Sequence, residues 1–323
     1  MGPMLSGLPA GANPAPNKPY TCGFETTLPA MLNTEQARTD HQQLDSYAPL
    51  DLVQALVDDQ LDAVEAVRAA SASLAAAVTA AVPRLMQGGR LIYVGAGTSG
   101  RLGVLDSVEL YPTFSWPRER ALALLAGGEK AMFVAVEGAE DDREQGAIDI
   151  AALHPNGSDV VLLLAASGAT PYVLGALHAA RQAGALTIGL ANNPNAAVAL
   201  EAHIGITLDT GAELISGSTR LKAGTSQKIA LNTFSSAVMV RLNKVHGNLM
   251  VDVKPTNAKL YRRCLNLTML ATGADEALAR TTLEACDYQV KLAILVIQKK
   301  LDRDQAQALL TLCDGSLRKA LAD

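Results

Sequence analysis

Short, almost wholly apolar segments that alternate with helical segments are the feature of this sequence that most limits its fold. A strand made only of apolar side chains is buried on both faces, and strands joined through helices run parallel to one another. The sequence therefore predicts an α/β fold in which a parallel sheet is covered by helices on both faces. The strands are predicted at 90–94, 121–125, 160–164, 186–190 and 204–208.

Helical periodicity occupies the segments on either side of these strands. Apolar side chains recur every three or four residues from 57 to 85, which predicts one long helix over 56–86. Its apolar seam suits packing either on the chain's own sheet or on a second copy. Further helices are predicted at 129–137, 171–183 and 222–242, and three or four amphipathic helices after 257. We predict a flexible tail and arm at 1–45, an α/β domain at 46–250 and a small all-helical domain at 251–323.

Charge and composition exclude several classes of protein. The chain has 323 residues, with 27 Lys and Arg against 32 Asp and Glu, so its formal net charge is −5. It therefore lacks the basic surface of a nucleic-acid-binding protein or of a polybasic membrane-surface protein. Its apolar runs are shorter than the ~20 residues of a membrane helix, and its amino terminus lacks a signal-peptide pattern. Four cysteines without a CxxC pair or a nearby histidine cluster indicate reduced thiols, no metal site and a cytoplasmic location.

The loop after the first predicted strand has the sequence Gly-Ala-Gly-Thr-Ser-Gly at 95–100. It matches the dinucleotide fingerprint G-x-G-x-x-G, in which the backbone approaches a phosphate and a helix amino terminus supplies N–H donors. The acidic residue that would bind a ribose is missing, because 126–128 are Ala-Gly-Gly. A nicotinamide-binding dehydrogenase is therefore only an alternative. Gly97, Thr98 and Ser99 are candidate ligands of a different phosphate.

Two more polar loops precede predicted helices, one after the third strand and one before 222–242. Loops at the carboxyl ends of parallel strands form a pocket, which here suits a small phosphorylated ligand. The alternative is that Ser99 and Thr170 are only helix N-caps and that the basic residues near 220 are solvated. The candidate ligands in these two loops are Ser167, Gly168, Thr170, Ser216, Ser218 and Lys222.

Two carboxylates are candidates for acid–base chemistry. Glu109 follows the first loop on a predicted helix, between apolar neighbours, where a carboxyl group is well suited to act as an acid. Glu140 belongs to an acidic cluster over 137–144, a pattern typical of a solvated face. The number of residues between Glu109 and Glu140 does not by itself indicate that the two side chains lie close together.

Five long motifs together closely resemble the N-acetylmuramic acid 6-phosphate etherase family, from about residue 34 to the end of the chain. They are RLIYVGAGTSGRLGVLDSVE, AVEGAEDD, AASGATPYVLGAL, ISGSTRLKAGTSQKIALN and GNLMVDVKPTNAKL. The family has the sugar isomerase (SIS) fold and is related to the glucokinase regulatory protein. The resemblance implies a five-stranded parallel sheet flanked by helices, a small helical carboxyl-terminal domain and a homodimer.

The resemblance also implies a reaction. A lyase of this family cleaves the D-lactyl ether of N-acetylmuramic acid 6-phosphate by elimination followed by hydration. The products are N-acetylglucosamine 6-phosphate and D-lactate, in peptidoglycan recycling, and no metal or redox cofactor is needed. Glu109 falls on the family's acid and Glu140 on its base, whereas the family's phosphate-loop hydroxyls fall on Thr98, Ser99, Ser167 and Thr170. The alternative within the same fold is a non-catalytic regulator that binds sugar phosphates.

The sequence departs from the family pattern at three places. Leu110 and Tyr111 replace a Cys-Pro pair, and Ala169 replaces an arginine whose charge would suit a phosphate or a carboxylate. A Thr-Glu-x-Arg-Asn motif is altered over 34–39. We expect these changes to affect substrate preference or rate and to leave the fold unchanged.

Overall fold

A computed structural model describes residues 32–322, so the first 31 residues of the tail and arm predicted over 1–45 lie outside the described residues. The strands are β1 (Leu91–Gly95), β2 (Ala121–Leu125), β3 (Val160–Leu164), β4 (Leu186–Ala191) and β5 (Ile204–Thr207). The helices before β5 are α1 (Pro49–Asp59), α2 (Leu61–Ala69), α3 (Ser71–Met86), α4 (Gly97–Phe114), α5 (Arg143–Ala152), α6 (Pro171–Gln182) and α7 (Ala197–Glu201). The helices after β5 are α8 (Lys222–Arg241), α9 (Ala258–Thr272), α10 (Glu276–Ala285), α11 (Val290–Lys299), α12 (Arg303–Leu312) and α13 (Leu317–Ala322).

The five strands form one parallel sheet in the order β2-β1-β3-β4-β5, which confirms the predicted fold class. Each predicted strand lies within one residue of the observed one. The chain leaves β1 for β2 on one side and later returns to β3 on the other side of β1. Because the strand order reverses there, the connections that follow β1 and β3 diverge and leave a crevice at the carboxyl ends of these strands.

Helices cover both faces of the sheet, as the apolar strands require. Side chains of α3, α4 and α8 form one hydrophobic cluster with one face, and side chains of α6 form a second cluster with the other. Fully buried members include Leu91 and Tyr93 on the first face and Ile92 and Val94 on the second. This alternation along β1 follows from the side-chain period of two in a strand.

The single helix predicted over 56–86 is wrong, because the segment forms α1, α2 and α3, with interruptions at Gln60 and Ala70. The bends let α2 pack on α8 while α3 packs on both α8 and the sheet. The apolar seam is therefore divided. Its second half, which includes Leu74 and Leu85, is buried on the chain's own sheet, whereas Val57 and Leu61 in its first half are 60% and 64% exposed.

The helix predicted over 129–137 is also wrong. Only a short 3₁₀ helix, Glu129–Met132, forms there, and the α-helix of this region is α5. The reason is a cap in the acidic segment, since the Asp142 side chain accepts a hydrogen bond from the backbone N–H of Gln145. Such a cap satisfies a backbone donor that would otherwise lack a partner and so fixes the start of the helix at Arg143.

Helices α5 and α6 approach each other closely because glycines face the contact. A Cβ atom at Gly146 would lie 1.9 Å from the Tyr172 carbonyl oxygen, and one at Gly175 would lie 1.9 Å from the Arg143 carbonyl oxygen. At the same contact, the Tyr172 N–H donates to the Glu140 carbonyl oxygen at 3.0 Å. The glycine contact therefore holds the segment that carries Glu140 against the start of α6.

The carboxyl-terminal region is mainly helical, with five helices (α9 to α13) where three or four were predicted. Its buried side chains, among them Leu283 and Ile294, form their own hydrophobic cluster. All described residues nevertheless belong to one compact unit, and the domain limits 46–250 and 251–323 stay a prediction. Within residues 32–322, no single helix is long and apolar enough to cross a membrane, although the pair Pro49–Ala69 and Ser71–Met86, bent by 53°, would meet that test together.

A buried ion pair joins the amino-terminal helices to α8. The Lys222 ammonium donates to Asp59 and Asp62, at 2.9 Å in both cases, and Arg38 also contacts Asp59. Burial alone would lower the pKa of Lys222, but its hydrogen bonds to Asp62 and Asp59 outweigh burial and leave that pKa raised. The Glu213 carboxylate accepts the backbone N–H of Lys222 at the start of α8. Lys222 is thus held by structural contacts on both its side chain and its backbone.

Gly175→Ala tests the close approach of α5 and α6. Alanine would favour the isolated helix by about 1 kcal/mol over glycine, but its Cβ would overlap a backbone oxygen that cannot rotate away. We expect a net loss of about 1–3 kcal/mol in the free energy of unfolding, measured with urea. Gly157→Ala is the control, because its Cβ would meet nothing nearer than 3.9 Å. A gain in stability for Gly175→Ala would contradict the described contact.

Lys222→Met tests the buried ion pair. The substitution removes a cation that is only 3% exposed and leaves the buried Asp59 carboxylate with Arg38 alone. We expect the free energy of unfolding to fall by about 3 kcal/mol. Lys228→Met is the matched control and should cost less than about 1 kcal/mol, since Lys228 pairs with a half-exposed Glu109. Equal losses for the two variants would show that the Asp59 pair is not structural.

Candidate active site

A cavity of about 390 Å³ lies at the carboxyl ends of β1 and β3, in the crevice that the strand order creates. This volume is within the range of small-molecule sites. The cavity, called the main cavity below, is lined by the loop after β1, the loop after β3, the segment before α5, and single residues of the amino-terminal arm and of the loop before α8. The lining includes Ala96, Gly97, Thr98, Ser99, Glu140, Asp141, Ser167, Thr170, Glu35 and Thr219.

Six residues predicted from the sequence therefore meet in the main cavity: Gly97, Thr98, Ser99, Glu140, Ser167 and Thr170. The hydroxyl groups of Thr98, Ser99 and Thr170 make no hydrogen bond to any residue between 32 and 322. Ser167 Oγ accepts the backbone N–H of Ala169 at 3.2 Å. Since accepting leaves the Ser167 proton available, the cavity presents four hydroxyl groups that can donate to a ligand, three of them without any partner among the described residues.

The view that Ser99 and Thr170 serve only as N-caps is wrong. Ser99 lies within the first turn of α4, whose N-cap position is Ala96, and no side chain caps that helix. Thr170 occupies the N-cap position of α6, but its side chain makes no capping hydrogen bond. The first backbone N–H groups of an uncapped helix lack partners and carry the positive end of the helix dipole. The start of α4 therefore offers backbone N–H groups to the main cavity. Helix α6 begins with Pro171, which has no N–H, and its Tyr172 N–H donates to the Glu140 carbonyl oxygen, so α6 offers the Thr170 hydroxyl instead.

Glu140 is positioned by contacts on both sides of its segment. Its carbonyl oxygen accepts the Tyr172 N–H, which ties it to α6. Earlier in the same segment, the Arg101 guanidinium donates from Nη2 to the Ala131 carbonyl oxygen at 2.7 Å and from Nε to that of Met132 at 3.3 Å. An arginine of α4 and the start of α6 therefore hold the two ends of the segment that carries Glu140.

Glu35 is a cavity residue that the sequence analysis did not select. Its neighbour Thr34 is fully buried, where its N–H donates to Asn193 Oδ1 and its hydroxyl accepts from Asn193 Nδ2. Asn193 Nδ2 also donates to the Ala166 carbonyl oxygen, so the arm is tied to the loop after β3. The altered Thr-Glu-x-Arg-Asn motif over 34–39 was the signal that could have identified Glu35. Asp141 and Thr219 were missed as well.

The remaining predicted ligands lie outside the cavity lining. Ser216 Oγ donates towards the carbonyl oxygens of Glu35 and Gln36, both at 3.4 Å, and so contacts the arm. Lys222 is engaged in its buried ion pair with Asp59 and Asp62. Gly168 lies within the second loop with φ +76°, and Ser218 immediately precedes the cavity residue Thr219.

Glu109 does not share the main cavity with Glu140 in one chain. It lies twelve residues beyond Gly97 on α4, which corresponds to about 18 Å along the helix axis. Its side chain is 53% exposed and pairs with Lys228 Nζ at 3.3 Å, so the apolar surroundings expected for it are not found. Next to it, Val108 is 59% exposed.

The buried carboxyl of α4 is Asp106, not Glu109. Burial raises the pKa of Asp106, although hydrogen bonds from Tyr93, Ser235 and Asn232 oppose that rise. These partners come from β1 and α8. Asp106 therefore joins α4 to β1 and α8 and is not part of the main cavity lining.

The residues from 32 to 322 contain no group of three or more His, Cys, Asp or Glu side chains placed to hold a metal ion.

Comparisons with known proteins place this geometry in a family. The model of the glucokinase regulatory protein N-terminal SIS domain matches residues 73–181. A Deinococcus radiodurans protein named N-acetylmuramic acid 6-phosphate etherase is 56% identical over 290 residues, which cover 90% of this chain and 95% of that protein. A Lactobacillus johnsonii protein of the same name is 46% identical over 286 residues, covering 88% of this chain and 96% of that protein.

Among solved structures, a phosphoheptose isomerase from Francisella tularensis has a TM-score of 0.46 and 20% sequence identity, and the match covers 60% of this chain and 100% of that one. The similarity to the two sequence relatives extends over nearly their whole length and is not confined to the segments that form the sheet. The chain therefore belongs to the N-acetylmuramic acid 6-phosphate etherase family.

Proposed function

We propose that this protein is a lyase that cleaves the D-lactyl ether of N-acetylmuramic acid 6-phosphate and releases D-lactate and N-acetylglucosamine 6-phosphate. The observation that carries the proposal is the main cavity, where the uncapped start of α4 and three unpartnered hydroxyls meet the carboxylate Glu140. An anion-binding end and a proton-transfer group in one cavity match the two ends of such a substrate.

The phosphate binds at the start of α4 and beside the Thr170 hydroxyl. Backbone N–H groups in the first turn of α4 and the hydroxyls of Thr98, Ser99 and Thr170 donate to its oxygens. The main cavity lining contains no Lys or Arg among the described residues. Binding is therefore local and depends on oriented donors, which agrees with a chain whose net charge is −5.

The chemistry is an elimination followed by a hydration, and Glu140 is its base. In the open-chain sugar, the aldehyde acidifies the hydrogen on carbon 2. Glu140 takes this proton, a double bond forms between carbons 2 and 3, and the bond from carbon 3 to the lactyl oxygen breaks with its electron pair on that oxygen. An acid protonates the leaving oxygen. The acid, now deprotonated, takes a proton from a water molecule as the water oxygen bonds to carbon 3, and Glu140 returns its proton to carbon 2.

Glu109 is the acid, and a second copy of the chain delivers it. The separation of about 18 Å along α4 keeps it out of its own cavity. Its neighbour Val108 lines a groove of about 650 Å³ along the partly exposed strand β2, and Phe133 in that groove is 89% exposed. These exposed apolar side chains are available for contact with a second copy of the chain. The homodimer that this requires is part of the proposal, as is a cytoplasmic location.

A second candidate is a sugar-phosphate-binding regulator without activity. The match of residues 73–181 to a regulatory SIS domain and the position of Glu109 outside its own cavity favour it. It differs from the first candidate in one outcome, since a regulator binds the sugar phosphate but releases no lactate.

Lactate release separates the two candidates. The purified protein should release D-lactate from N-acetylmuramic acid 6-phosphate, and Glu140→Gln should lower kcat by about 10²–10⁴-fold, because the amide cannot accept the proton. Asp45→Asn, which changes an exposed carboxylate outside the cavity, is the matched control and should keep wild-type kcat. Binding without any lactate release by the wild-type protein would establish the regulator instead.

Mixing two inactive variants tests the shared site. If one copy supplies Glu140 and the other supplies Glu109, a mixed dimer of Glu109→Gln and Glu140→Gln chains contains one site with both carboxylates intact. Random reassociation of equal amounts should then restore about a quarter of wild-type activity. Mixtures that stay inactive, although mass measurements show mixed dimers, would place both residues in the same chain's site or remove Glu109 from the reaction.

A further inference from the structure

A second, smaller cavity of about 230 Å³ adjoins the main cavity and is called the side cavity below. The two share Ala96, Gly97 and Glu140 in their linings, so a group that projects from a ligand in the main cavity past Glu140 enters the side cavity. Small apolar side chains dominate the rest of its wall: Ala126, Ala131, Ala135, Val136 and Ala139.

One cation faces this apolar wall. Among the described residues that line either cavity, Arg101 is the single Lys or Arg. Its Nε and Nη2 are fixed by the carbonyl oxygens of Ala131 and Met132, whereas its Nη1 makes no hydrogen bond to the described residues. A guanidinium held in this way keeps its orientation, and its remaining N–H groups suit a carboxylate.

We propose that the side cavity binds the D-lactyl group of the substrate, with the lactyl methyl on the alanine wall and the lactyl carboxylate at Arg101. This inference rests on the proposed etherase function. The lactyl group is small, has one methyl and one carboxylate, and is attached at carbon 3, next to the carbon 2 hydrogen that Glu140 removes. A pocket that begins at Glu140 and contains one cation and several methyl groups complements it in size, charge and position.

Glu137 also lines the side cavity and carries the opposite charge. Its residue is exposed, so solvent and salt screen its effect on a bound anion. Arg101 is only partly exposed and is fixed by backbone oxygens, and its attraction therefore outweighs the repulsion. The Glu137 carboxylate provides a charge control, because removing it should not weaken the binding of a carboxylate.

The test compares two ligands that differ only at carbon 3. N-acetylmuramic acid 6-phosphate carries the lactyl group, and N-acetylglucosamine 6-phosphate carries a hydroxyl. Calorimetric affinities are measured in a Glu140→Gln background, which does not turn the substrate over. Adding Arg101→Gln should weaken the muramic ligand by about tenfold to a hundredfold and leave the glucosamine ligand within about twofold. Glu137→Gln should leave both ligands unchanged or tighten the muramic ligand.

Ala135→Leu is a second variant that does not alter the hydrogen bonds of Arg101. It fills the side cavity and should weaken only the muramic ligand. Equal losses for both ligands in Arg101→Gln and Ala135→Leu, or no loss in either variant, would overturn the proposal. Lactate release by the wild-type protein tests the proposed function separately, so a failure of one is distinguishable from a failure of the other.

Discussion

The reversal of strand order between β1 and β3 is the constraint on which the rest of the site depends. It separates the connections after these two neighbouring strands and leaves the starts of α4 and α6 facing one crevice. Because no side chain caps α4, its first backbone donors remain available at that crevice, while the first N–H of α6, that of Tyr172, holds the Glu140 segment. An acidic protein can in this way bind a phosphate without a basic surface.

Tertiary contacts bring carboxylates to the main cavity, which the loops after β1 and β3 do not contain. The glycine contact between α5 and α6 brings Glu140 to the start of α6, and Arg101 fixes the segment before it. The buried Thr34 holds Glu35 in the lining through Asn193. With Glu140 and Asp141, Glu35 gives the cavity three carboxylates beside its hydroxyl and N–H donors.

The sequence predicts the sheet well because each strand is short, apolar and bounded by turn residues. The loops of the site were predicted for the same reason, since their position at strand ends follows from local pattern. Periodicity could not predict the bends at Gln60 and Ala70, which serve packing on α8 and the sheet. Nor could periodicity predict that Lys222 forms a buried ion pair with Asp59, which lies 163 residues away in the sequence. Tertiary packing decides which way a helical residue faces and which distant residues it contacts. The spacing of residues along the sequence does not contain this information.

The same limit explains Glu109. Its apolar neighbours in the sequence suggested burial, yet the buried carboxyl of α4 is Asp106, one turn earlier, while Glu109 faces outward. A proposed acid that lies outside its own cavity, among exposed apolar side chains, makes sense if the catalytic unit is a pair of chains. The position of Glu109 thus links the proposed reaction to the second copy of the chain that the sequence analysis already suggested.

Isotopic labelling of the solvent oxygen tests the central claim, that the bond between carbon 3 of the sugar and the lactyl oxygen is the one that breaks and that water supplies the new hydroxyl on carbon 3. The reaction is run in ¹⁸O-enriched water, and both products are examined by mass spectrometry. Elimination and hydration predict one ¹⁸O atom at carbon 3 of N-acetylglucosamine 6-phosphate and none in the hydroxyl of D-lactate. Label in the lactate hydroxyl would mean that water attacks the lactyl carbon, which would contradict the account.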